Sequence, residues 1–153
     1  NIRRTVVMMT INALCLFGIT DFLDQMMIWK NKYKHKSIGI SINFLRFPAC
    51  QALVTLPDHI RERLASEIEM WYHTNKTDNM LNAMEKGDIE RLINYIKDVK
   101  QGHDFHDDSR DANVRDFKRF YTQYDKRRDR TIEVFPDYFL DWYNDIEAPD
   151  VNR

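Results

Sequence analysis

Four polar side chains stand where a ligand site is most easily built. Thr10 and Asn12 close the apolar run Val6-Val7-Met8-Met9-Thr10-Ile11-Asn12, and Asn43 and Arg46 close the run Ser37-Ile38-Gly39-Ile40-Ser41-Ile42-Asn43-Phe44-Leu45. Both runs read as buried strands, and one amphipathic helix separates them. Two strands joined by a helix make a parallel pair, and polar residues at the C-terminal ends of parallel strands face the ligand side of the sheet. An asparagine amide donates and accepts at once, which suits the carboxylate and amine of an amino-acid-like ligand. An arginine can hold a carboxylate through two parallel hydrogen bonds. Each has a plainer alternative, in which the asparagines cap turns and Arg46 pairs with an acidic neighbour.

Two further constellations invite chemistry. His103, Asp104, His106, Asp107 and Asp108 are ligand types for zinc or iron. Their spacing fits a solvated loop leading into a helix better, so no metal site is assigned. Arg115, Lys118, Arg119, Lys126, Arg127, Arg128 and Arg130 interleave with Phe117, Phe120, Tyr121 and Tyr124. Such a face could hold phosphates and stack bases; helical spacing also allows the aromatics to face the core and the cations to face water. Asp111, Asp116, Asp125 and Asp129 dilute the positive field. Cys15 and Cys50 lie in apolar surroundings without a short pair spacing and read as small hydrophobes, which fits a reducing, cytoplasmic setting.

The elements that must position these residues follow from composition and periodicity. With 153 residues, 43% of them hydrophobic and 12% aromatic, the chain can build a core. Its 23 basic and 24 acidic residues leave a net charge of −1, so nothing global favours nucleic acid or an anionic membrane. No run approaches the roughly 18 apolar residues of a membrane span. The spacing predicts a crossover helix capped by Thr20, with Asp21 in its first turn and Phe22, Leu23, Met26, Met27, Trp29, Lys30 and Tyr33 following. Phe47-Pro48 ends the second strand. Beyond it the signal is helical. Thr55 caps a helix with the stripe Ile60, Leu64, Ile68, Trp71 and Tyr72, and Thr77-Asp78 cap a short helix to Met84. Gly87 breaks that helix and Asp88 caps the next, with Ile89, Leu92, Ile93, Ile96 and Val99 inward. A loop over 101–110, a long helix over 111–128 and an aromatic segment after Phe135-Pro136-Asp137 complete the chain. The methionines are expected to be core residues for the most part.

In this order, Thr10-Ile11-Asn12-Ala13-Leu14, Asn43-Phe44-Leu45-Arg46-Phe47-Pro48, Leu56-Pro57, Asp125-Lys126-Arg127-Arg128 and Phe135-Pro136-Asp137 resemble the C-terminal half of the twitch-domain radical SAM proteins of phage and environmental sequences. The resemblance implies an α/β fold: the last two β/α units of a partial (β/α)6 radical SAM barrel over residues 1–54, followed by a mainly helical, twitch-like extension over 55–153. It also implies S-adenosylmethionine and a [4Fe-4S] cluster as cofactors, with Thr10, Asn12, Asn43 and Arg46 on the S-adenosylmethionine side. The family's C-x3-C-x2-C loop is absent, and Cys15 and Cys50 are too few for a cluster that takes three or four thiolates. The expectation is therefore a C-terminal part lacking the cluster-binding half, not catalytic alone, acting on an unknown substrate and able to self-associate through an exposed strand edge. The rival expectation is a noncatalytic helical module that binds nucleic acid or a partner protein through the basic-aromatic face around 115–130.

Overall fold

The computed structural model describes residues 4–34, 37–77, 79–98, 107–129 and 132–147, without the side chains of 107–109. Strand β1 (Arg4–Ile11) is followed by a 3-10 turn (Cys15–Gly18), helix α1 (Ile19–Lys32) and strand β2 (Ser37–Phe44). The strands pair in parallel, with Thr10 opposite Asn43 and Ile11 opposite Phe44. Because side chains alternate across a strand, Val7, Met9 and Ile11 share a face with Ile38, Ile40, Ile42 and Phe44, and this face enters the core with α1. The other face carries Val6, Met8 and Thr10 beside Gly39, Ser41 and Asn43. Met8, at its centre, is 75% exposed.

After two more 3-10 turns (Ala49–Gln51 and Leu53–Thr55) the chain continues as α2 (Asp58–Asn75), α3 (Ala83–Asp98), α4 (Asp107–Arg128), a 3-10 turn (Ile132–Val134) and α5 (Asp137–Asp145). Ile60, Leu64, Ile68, Trp71 and Tyr72 bury the predicted stripe of α2. The Trp71 indole N–H donates to Asp24 at 2.6 Å, which ties α2 to α1. Ile89, Leu92, Ile93 and Ile96 do the same work for α3. Phe117 and Phe139, both fully buried, join α4 to α5, and Phe17 meets Phe139 at a ring-centroid distance of 4.9 Å. Among the described residues no helix is long and apolar enough to cross a membrane.

The expected last two β/α units of a (β/α)6 barrel are not what forms. The described structure is mostly helical, its sheet has two strands, and four α-helices follow β2 without an intervening strand. A physical reason lies on the outer edge of β2, where α3 occupies the hydrogen-bonding positions a further strand would need. The Ile40 N–H donates to Glu85 Oε1 at 3.1 Å, the Ile42 N–H donates to Asp88 Oδ2 at 3.1 Å, and Arg91 donates to the Ile42 carbonyl. Side chains have replaced a partner strand.

Local expectations also change. Gly87 does not break a helix, because α3 runs continuously through it and keeps its apolar face in register. Its start is set by Asn82: the Glu85 N–H donates to Asn82 Oδ1 at 3.0 Å and the Asn82 N–H donates to Glu85 Oε2 at 2.9 Å, a reciprocal cap. Asp88 is therefore inside a helix rather than at its head. Thr55 is buried with its hydroxyl donating to the Ala49 carbonyl, and Pro57 takes the position before α2. Gly18 rather than Thr20 precedes α1. Met26 and Met27 are core residues, whereas Met8, Met70 and Met84 are exposed.

Candidate functional site at the strand ends

The parallel register sets Thr10 and Asn43 side by side at the C-terminal end of the uncovered face. Both are exposed, and the Asn43 amide has no hydrogen-bond partner among the described residues. The Leu45 N–H donates to the Ile11 carbonyl at 2.9 Å, extending the pairing one step past the strands. Arg46 follows directly. It is exposed and makes no ion pair with any described acidic residue, so the acidic neighbour expected as its alternative partner is not there.

Asn12 stands differently. Its Oδ1 accepts the Cys15 N–H at 2.9 Å and so holds the turn that leads into α1. Only its NH2 is left for a ligand.

Beside the end of β1 lies a cavity of about 530 Å³, lined by Thr10 with Met9, Leu14, Gly18, Phe22 and Phe135 among others. Its size falls in the range of small-molecule pockets, and its lining is chiefly apolar. Thr10 alone of the four predicted residues lines it. The strand ends thus offer an apolar hollow beside Thr10, with Asn43 opposite Thr10 in the register and Arg46 three residues further along the chain.

Cys15 and Cys50 are both free thiols. Burial, and then the nearby carboxylate of Asp116, push the Cys50 thiol up, which keeps it protonated and a poor ligand. Among the described residues no group of three or more His, Cys, Asp or Glu could hold a metal ion. His103, Asp104 and His106 lie outside the described residues, as do the side chains of Asp107 and Asp108.

The residues that sequence reasoning missed are those that close the sheet. Lys30 Nζ lies 2.5 Å from Glu85, with side chains 9% and 1% exposed, and also donates to the Met80 carbonyl. Asn82-x-x-Glu85 is the one local signal that could have shown part of this, as a helix-start pattern; the contacts to β2 span more than forty residues of sequence. Comparison of the chain with protein-family models, with curated proteins and with solved structures gives no match.

Proposed function

We propose that the chain is the C-terminal part of a radical S-adenosylmethionine enzyme, supplying part of the cofactor pocket at the strand ends and, from Thr55 onward, the substrate-side cover. The observation that carries this reading is the juxtaposition of Thr10 and Asn43 on the uncovered face of a parallel strand pair, with Arg46 immediately beyond. The donor set fits S-adenosylmethionine: the Arg46 guanidinium matches its carboxylate, the Asn43 amide can serve both amine and carboxylate, and Thr10 offers a hydroxyl next to an apolar hollow. The motif resemblance described above adds to it.

The cluster does not fit the described residues of this chain, which offer two separate thiols. In this reading its cysteines lie upstream of Asn1, and the bound cluster and sulfonium supply the reductive cleavage. The task of this chain's own residues is to hold and orient the amino-acid end of the cofactor and to exclude water around it. We place the protein in the cytoplasm, where free thiols are stable.

The reading frame upstream of Asn1 tests the proposal. Three cysteines in a C-x3-C-x2-C pattern there are the expected result, and a stop codon with a start site next to Asn1 would overturn it.

A further inference from the structure

The C-terminal half of α4 carries a stripe that the strand-end site does not use. Phe120, Tyr124, Arg127 and Arg128 recur at helical spacing and share one face over eight residue steps, about 12 Å. Phe117 and Tyr121, on the adjoining face, are buried, whereas Phe120 and Tyr124 remain 41% and 42% exposed. Their rings stack with centroids 6.1 Å apart and planes 21° from parallel. The Arg128 guanidinium lies 5.3 Å from the Tyr124 ring centroid and continues the stack.

Positive charge is in local excess at the end of this stripe, where three cations at 126–128 stand between the carboxylates of Asp125 and Asp129. Lys126, Arg127 and Arg128 are consecutive and exposed, and none has a carboxylate partner among the described residues. Lys30, Arg61, Arg63, Arg91, Lys97 and Arg119 each do. Asp125 is half-buried, and burial raises its carboxyl while the hydrogen bond from the Ile132 backbone opposes that shift. Asp129 takes the left-handed conformation that ends the helix. Cations gather at helix C-termini because of the macrodipole, which accounts for a basic last turn but not for two stacked, exposed rings in line with it.

We propose that this face of α4 binds single-stranded nucleic acid, with bases stacking against Phe120 and Tyr124 and phosphates meeting Lys126, Arg127 and Arg128. Rings with half-open faces recognise flat bases regardless of sequence, and three adjacent cations match a repeating anion. This inference is independent of the reading of the strand ends.

The test is fluorescence anisotropy of labelled oligo-dT and oligo-U, about fifteen nucleotides long, titrated with the full chain at several salt concentrations. Binding that weakens steeply with salt is expected, and the two oligonucleotides tell DNA from RNA preference. Lys126→Gln, Arg127→Gln and Arg128→Gln together should flatten the salt dependence and weaken low-salt binding by an order of magnitude or more. Phe120→Leu with Tyr124→Leu, which keeps apolar bulk at half-exposed positions, should weaken binding about tenfold with the salt dependence unchanged and the parent's thermal transition retained. No binding at low salt would overturn the proposal. So would binding indifferent to the ring substitutions, or equally strong competition by polyglutamate, since either would mean attraction of any polyanion or acidic peptide.

Discussion

Asn12 commits its carbonyl oxygen to the Cys15 amide, whereas Asn43 and Arg46 satisfy nothing within the described structure. That difference separates three residues that sequence reasoning treated alike. A strand-end asparagine is compatible with capping or binding, and which one holds depends on where the following N–H groups fall. At Asn12 they belong to a turn three residues on; at Asn43 the chain continues extended to Leu45. Arg46→Ala should weaken S-adenosylmethionine binding by about 1.5–3 kcal/mol, the worth of a charge-assisted contact, and Asn43→Ala by about 0.5–1.5 kcal/mol. Asn12→Ala should instead lower folding stability by about 0.5–1.5 kcal/mol through its lost turn hydrogen bond, seen as a lower denaturation midpoint.

At the scale of elements, the two edges of the sheet are treated oppositely. Glu85 accepts from Lys30, from the Ile40 amide and from the Asn82 amide at once, so one carboxylate closes the sheet edge, caps α3 and neutralises a buried ammonium. Removing one partner of a buried pair strands the other, so Glu85→Ala should destabilise the fold by about 3–5 kcal/mol in chemical denaturation. Among the described residues the edge of β1 has no such cover, and its outer face exposes Val6 and Met8. Bare edges with apolar side chains favour association. The chain expressed alone should run above its monomer mass in size-exclusion chromatography with light scattering, and Val6→Lys with Met8→Lys should move it toward monomer; a monomeric parent would contradict this. The period-2 and helical patterns made β1, α1, β2 and the stripe of α2 readable. Gly87 was misleading because packing of Ile89, Leu92, Ile93 and Ile96 outweighs the roughly 1 kcal/mol propensity loss of a helical glycine.

For the whole molecule, a parallel pair and a helical continuation were legible, but the barrel was not a safe extrapolation, because a β/α repeat and a strand pair edged by a helix share the same local patterns. What decides between them is the clamp of Glu85, Asp88 and Arg91 on β2, a contact set that local pattern cannot reveal. The assembled core also leaves a pH signature. The Tyr72 hydroxyl donates to Glu90, and Tyr121 is held in the core near Cys15 and Cys50; both phenols are pushed up to about 12. The folded state thus keeps protons that the unfolded chain releases from about pH 10. Stability from these groups is full below pH 10 and is lost as pH rises toward 12, so phenolate absorbance should show the two tyrosines ionising together with unfolding. The central claim is more direct to test by calorimetric titration of S-adenosylmethionine into the protein expressed from the complete reading frame, parent beside Arg46→Ala. Saturable binding in the parent, weakened at least tenfold in the variant, is predicted; a parent that does not bind, or a variant that binds equally well, would contradict it.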